Sequence, residues 1–209
     1  MRRPALIAAA LAALATPAPA APPAGAWEIG PIIRGRNYSV NMPLVPEPSR
    51  AGPSFAFPGP AAANGHVHYV TTATRPLEGA RRIVLTYRID AAPGTRFVPQ
   101  ESPGETATLS LYFQRAGDGW TKRQPDWRWY APASRLAVLR PGTHTVSIAL
   151  TEDWVAMTGS GAHANPDGFA EALAETARVG FTFGSPSARG HGVYATGPAR
   201  FTILDFRVE

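Results

Sequence analysis

Two tryptophans two positions apart, Trp127 and Trp129 in the run WRWY, carry the most suggestive chemistry in the chain. In an extended segment, residues two apart share a face, so the indoles would lie side by side. Paired indole faces stack on the apolar faces of sugar rings, and the same pair is equally suited to packing a core. Trp120 is close by in sequence. A second group is polar. Arg88, Tyr112, Gln114, Asp205 and Arg207 each fall opposite the apolar positions of an alternating run. If their strands belong to one sheet, these side chains converge on one concave surface, where donors and acceptors match the hydroxyls of a sugar. If not, they form a solvated outer face.

The histidines are less informative. His66 and His68 make an H-x-H on one strand face, a spacing that can hold a metal. Thr72 stands four residues after the second, where a further carboxylate ligand would be wanted, so the pair also reads as two partly exposed strand residues. His163 and His191 lie among glycines, in GSGAH and GHG, where a loop side chain can approach a ligand closely. His191 joins the candidate binding set as a rim residue. Carboxylate pairs are scarce. Glu152 and Asp153 are adjacent and would face opposite ways on a strand, while Glu101 and Glu105 sit in a Pro/Gly loop. A glycosidase needs two carboxyl groups about 5–10 Å apart across a cleft, and neither an E-x-D-x-x-E run nor a G-x-S-x-G elbow is present. No catalytic residue is assigned.

The elements that must position these groups read as strands. The runs at 66–72, 82–89, 106–115, 143–150, 179–183 and 201–208 alternate apolar with polar residues, separated by Pro-Gly and Gly-Asp-Gly punctuation. Ile83, Leu85, Tyr87 and Ile89 share one face, as do Leu109, Leu111 and Phe113. At the C-terminal end Val179, Phe181, Phe183, Leu204, Phe206 and Val208 are expected to seal the core, with Asp205 and Arg207 on the other side. One helix is expected at 166–176, where Asn165 supplies an N-cap and Pro166 the first helical residue. Antiparallel strands with one apolar face each imply two packed sheets. The expected fold is therefore all-β, an antiparallel β-sandwich of jelly-roll type with one short helix.

Composition bounds the rest. The 209-residue chain has no Cys, which excludes a thiol nucleophile and a thiolate zinc site. Residues 1–26 read as a secretory signal peptide: Arg2 and Arg3, an apolar run from Leu6 to Leu14, and A-x-A cleavage sites ending at Ala20 and Ala26. A periplasmic or secreted protein with no membrane span is expected. Residues 27–63 are Pro-rich and read as a wrap or edge segment, and residues 64–209 as the sandwich domain. The net charge is +5, falling to +3 without Arg2 and Arg3, and the basic residues are spread thinly rather than interleaved with aromatics on one element. No nucleic-acid partner is expected.

At the C-terminal end the pattern resembles the jelly-roll carbohydrate-binding modules and their galactose-binding-like relatives. The resemblance rests on the strand ending near Leu150 and running into Glu152-Asp153-Trp154, the helix leading into VGFTFG at 179–184, and the closing run FTILDFRV at 201–208. It spans roughly residues 65–209. It implies a polysaccharide or oligosaccharide partner, a non-catalytic binding role and often a structural calcium, with Asp205 in the position of the Asp common in that last strand. The expected binding residues are thus Trp127, Trp129, Arg88, Tyr112, Gln114, Arg207 and His191, with Asp205 as a metal ligand. An enzyme acting on polysaccharide, a lyase or hydrolase, and a structural envelope protein are the alternatives.

Overall fold

The computed structural model describes residues 21–61 and 67–209. Most of the expected signal peptide, and His66 of the H-x-H pair, lie outside the described residues.

The strands in chain order are β1 (Trp27–Gly30), β2 (Ile32–Ile33), β3 (Arg36–Asn37), β4 (Ser54–Ala56), β5 (His68–Ala73), β6 (Arg82–Ala91), β7 (Phe97–Pro99), β8 (Thr108–Arg115), β9 (Arg128–Tyr130), β10 (Ala137–Val138), β11 (Gly142–Ala149) and β12 (Val155–Ala156). After helix α1 (Pro166–Ala174) come β13 (Thr176–Gly184), β14 (Val193–Ala195) and β15 (Ala199–Val208). They form an all-β, antiparallel sandwich. The larger sheet runs β1-β5-β13-β8-β9-β12, with β10 also paired to β8, and the smaller runs β11-β6-β15-β4. Short pairs β7–β14 and β2–β3 stand beside them.

Alternation decides which side chains meet between the sheets. The larger sheet contributes Val70, Leu109, Leu111, Phe113, Val179, Phe181 and Phe183; the smaller contributes Ile83, Leu85, Tyr87, Ile89, Ile148, Phe201, Ile203 and Phe206. Aromatic rings bridge the layers. Phe201 stacks on Phe181 at 5.1 Å and Trp27 meets Phe206 edge-on at 5.1 Å, while within the smaller sheet Phe201 stacks on Phe55 at 5.2 Å. Such pairs contribute about 0.5–1.5 kcal/mol each beyond the area they bury.

The Pro-rich segment supplies an edge strand to each sheet: β1 pairs with β5, and β4 with β15. Its Trp27, Ile29, Phe55 and Phe57 are buried in the core, which explains the apolar residues among its prolines. Helix α1 begins as its sequence dictates, the Asn165 side chain accepting from the Gly168 N–H at 3.2 Å and Pro166 occupying the first turn. It ends at Ala174, and the chain passes almost at once into β13. Phe169 lies edge-on to Trp129 at 4.9 Å, closing that end of the core.

The last strand departs from simple alternation. A bulge between Ile203 and Asp205 shifts the register of β15 against β6. Ile203 and Phe206 therefore both point inward, and Leu204, expected in the core, is half-exposed.

Candidate functional site

The outward face of the larger sheet is where polar and aromatic side chains gather. Register places Thr71, Gly180, Tyr112 and Tyr130 in one row across β5, β13, β8 and β9. Gly180 is required in that row, because a Cβ there would stand 2.0 Å from the Val70 carbonyl oxygen. With no side chain at Gly180, the Tyr112 hydroxyl spans β13 and hydrogen-bonds the Thr71 hydroxyl. In the neighbouring row Tyr69 meets Tyr130, their hydroxyl oxygens 2.6 Å apart. Tyr69 also meets the Tyr112 ring edge-on at 4.9 Å. Burial pushes the phenols of Tyr69 and Tyr112 well above the usual tyrosine range, so both hydroxyls stay protonated.

Arg128 lies at the side of this tyrosine group. It is held in two-point contact by Asp118, Nε to Oδ2 at 2.8 Å and Nη2 to Oδ1 at 3.1 Å, and the Asp118 side chain has no solvent exposure. Burial works against the guanidinium charge, but Tyr130, Asp118 and Tyr69 outweigh it and hold Arg128 above the ordinary arginine value. The same carboxylate accepts the Trp120 backbone N–H at 2.8 Å. That bond fixes a turn in which Trp120 has φ +60°, a conformation rare for a bulky residue. The Trp120 indole is thereby laid over the Arg128 guanidinium at 4.1 Å and edge-on to Tyr69 at 4.7 Å. Asp118 is thus the organising residue, fixing the backbone of one cleft group and the side chain of another.

The β13–β14 connection forms the opposite wall. Gly190, at φ +82°, packs its backbone on the Tyr69 hydroxyl so closely that a Cβ would lie 2.2 Å from it, and its carbonyl accepts the His68 N–H at 2.9 Å. Pinned there, the loop presents Arg189 and His191. Burial lowers Arg189 from its ordinary value, with Tyr130 acting the other way. His191 Nδ1 lies 2.8 Å from Glu101 Oε2, an ion pair when the ring is protonated. Between these walls is a cleft of about 580 Å³, lined by the rings of Tyr38, Tyr69, Trp120 and Tyr130 and by Lys122, Arg128, Arg189 and His191. Rings, hydroxyls and cationic donors facing one groove suit a ligand that has both apolar faces and many oxygens.

The residues singled out from sequence are divided among several places. Tyr112 and His191 belong to this face, Tyr112 beneath the cleft lining and His191 in it. Gln114 is on the same sheet face but almost fully buried, beside a neighbouring groove next to Arg115 and Trp120. Arg88 and Arg207 do not converge with them. They stand on β6 and β15 of the other sheet, where Arg88 pairs with exposed Asp90 and Arg207 with Asp205 and Glu209. Asp205 is buried against that guanidinium, and among the described residues no group of three or more His, Asp or Glu side chains is arranged to hold a metal.

The expected tryptophan pair does not form a platform. A 3-10 turn at Pro125–Trp127 interrupts the extended run, so Trp127 and Trp129 do not share a strand. Trp129 points inward with no exposure, its Nε1–H donating to the Asp126 carbonyl at 2.7 Å. Trp127 lies under the Arg115 guanidinium at 4.7 Å. Arg128, between the two tryptophans, and Tyr130, after them, are the ones that face the cleft. Of the histidine pair, His68 is fully buried and its Nδ1 accepts the Val193 N–H at 3.1 Å.

Residues that sequence reasoning missed are Asp118, Arg128, Tyr130, Tyr69, Arg189 and Lys122. Period-two alternation held a signal for three of them, since Tyr69 is out of phase with Val70, and Arg128 and Tyr130 are out of phase with Trp129. No family model matches the chain, and no curated protein is detectably similar to it.

Proposed function

We propose that this protein binds carbohydrate without transforming it, as an exported protein, and that the sugar chain lies in the cleft on the outer face of the larger sheet. The observation that carries this reading is the cleft lining, in which Trp120 and three tyrosines stand among Lys122, Arg128, Arg189 and His191. Aromatic rings stack on sugar faces, and fixed guanidinium and hydroxyl groups hydrogen-bond sugar oxygens without having to be ordered on binding. The sandwich architecture and the closing strands, which resemble carbohydrate-binding modules, agree with it. The signal-like residues 1–26 support export. Affinity electrophoresis through gels containing soluble polysaccharides tests the reading. Retardation by at least one polysaccharide, lost in Trp120→Ala, is expected. Unretarded migration in every gel, or retardation unchanged by Trp120→Ala, would refute it.

One observation favours an enzyme acting on the bound polysaccharide. The paired hydroxyls of Tyr69 and Tyr130 and the His191 ring face the same cleft, and these are groups that donate and accept protons. Release of reducing or unsaturated ends from a bound polymer, abolished in Tyr69→Phe, would establish that reading in place of simple binding.

A further inference from the structure

We infer that the ligand of this cleft is an acidic polysaccharide, whose carboxylate or sulfate groups are taken by Arg189, Lys122 and a flanking set of arginines; the inference rests on the carbohydrate reading above. The cleft does not end at its own walls. A second groove of about 630 Å³ shares Ile33 and Tyr38 with it and is lined by Arg34, Arg36 and Arg123 as well. Together the two grooves carry six permanently basic side chains, and no Asp or Glu is among the described residues that line them. Only Arg128 is neutralised, by Asp118 from beneath.

Other surface cations are either paired or scattered: Arg50, Arg75, Arg96 and Arg140 stand in no ion pair among the described residues but line neither groove. On the outer face of the smaller sheet Arg88, Arg200 and Arg207 each meet a carboxylate, and Arg178 on the larger sheet meets Glu28. Arg34, Lys122, Arg123 and Arg189 make no ion pair among the described residues, and Arg36 has only the Tyr38 ring beneath it at 5.0 Å. Arg189 is the most telling of them. It is partly buried, and its Nε is shut away from solvent with no hydrogen-bond partner among the described residues. Arg189 also lines the cleft with no ion-pair partner, and an anionic ligand group there supplies the counter-charge that this half-buried guanidinium lacks. Like charges gathered without counter-charges also raise the local concentration of an anionic polymer. Aromatic rings in the same lining set this apart from a bare basic patch, because they give the sugar ring itself a surface.

Calorimetric titration of the mature, exported chain tests the inference with polygalacturonate, its carboxyl-reduced derivative, dextran sulfate, unmodified dextran and single-stranded DNA. The expected result is binding to an acidic polysaccharide about tenfold or more tighter than to its uncharged counterpart. That preference should weaken as salt rises and should be lost in Arg189→Gln/Lys122→Gln, with the melting temperature held. The Arg88→Gln control on the other sheet keeps wild-type affinity. The stronger of polygalacturonate and dextran sulfate identifies the acid. Equal affinity for charged and uncharged glycans would overturn the acidic ligand and leave carbohydrate binding standing. Failure to bind any of the glycans would overturn both. Tighter binding of DNA than of any glycan would overturn the inference in favour of a general polyanion site.

Discussion

Removing Asp118 should unfold far more than one surface contact. Its carboxylate has no exposure and receives three hydrogen bonds, two from Arg128 and one from the Trp120 backbone. Asp118→Ala leaves a guanidinium of 6% exposure without its counter-charge, and breaking a buried pair from one side costs about 3–5 kcal/mol. It also releases the φ +60° turn that lays Trp120 over Arg128. Arg128→Met removes the charge that Asp118 compensates, so in the double variant the two losses overlap. The double variant should cost clearly less than the sum of the single ones, with a coupling of about 1–3 kcal/mol. Urea unfolding of the four proteins, with m-values compared, measures the cycle. An Asp118→Ala cost below about 1 kcal/mol, the range of exposed pairs, or additivity within about 0.5 kcal/mol, would refute the organising role assigned to Asp118.

The same geometry sets other expectations. Trp129→Ala should cost about 3–5 kcal/mol, as for a large aromatic removed from a core, whereas Trp127→Ala should leave glycan binding unchanged; urea unfolding and affinity gels separate the two. Tyr69, Tyr112 and Tyr87 all have phenols raised by burial, Tyr87 to about 12. Their folded forms keep protons that the unfolded chain releases near pH ~10, so their contribution to stability is complete below that pH and is lost as pH rises above it, by up to about 1.4 kcal/mol per pH unit for each. Tyrosinate absorbance recorded against circular dichroism should therefore show these three ionising together with alkaline unfolding; ionisation well before it would contradict their burial. On the proposal that residues 1–26 direct export, cleavage is expected after Ala20 rather than Ala26, because Ala21 packs on the core, the Trp27 indole donates to the Pro22 carbonyl at 3.1 Å and Thr72 donates to the Ala26 carbonyl at 3.0 Å. Intact mass of the protein recovered from the periplasm or medium reads the cleavage point, and its absence from both, with an uncleaved mass in the cell, would refute the export reading.

The sandwich was legible because alternation survives in the strands that make its core. Leu109, Leu111 and Phe113 point inward together, as do Ile83, Leu85, Tyr87 and Ile89, and the Asn165-Pro166 start of the helix stands where its cap chemistry puts it. What alternation does not encode is the sheet to which a strand belongs. Arg88 and Tyr112 both lie opposite apolar stripes, yet long-range pairing sends β6 and β8 to different sheets, so their outer faces point away from each other. The WRWY run has a similar ambiguity. Tryptophan is at home in a core or on a binding surface, and only the turn at Pro125 and the packing of Phe169 turn Trp129 inward and Arg128 outward. One inserted residue in β15 reverses the phase of the strand at the bulge and turns Leu204 away from the core position that strict alternation assigns it. Asp118, in a Gly-Asp-Gly turn, reads as punctuation, and its buried pairing with Arg128 depends on a fold that brings a loop over the sheet.

Chemical-shift mapping of a bound acidic oligosaccharide on the isotope-labelled mature protein tests the cleft most directly. Binding on the outer face of the larger sheet predicts shifts concentrated at Tyr69, Trp120, Arg128, Tyr130, Arg189 and His191, with the Trp120 indole N–H among the largest and the amides of Arg88 and Arg207 unmoved. Shifts centred instead on β6 and β15, or none at saturating oligosaccharide, would contradict it.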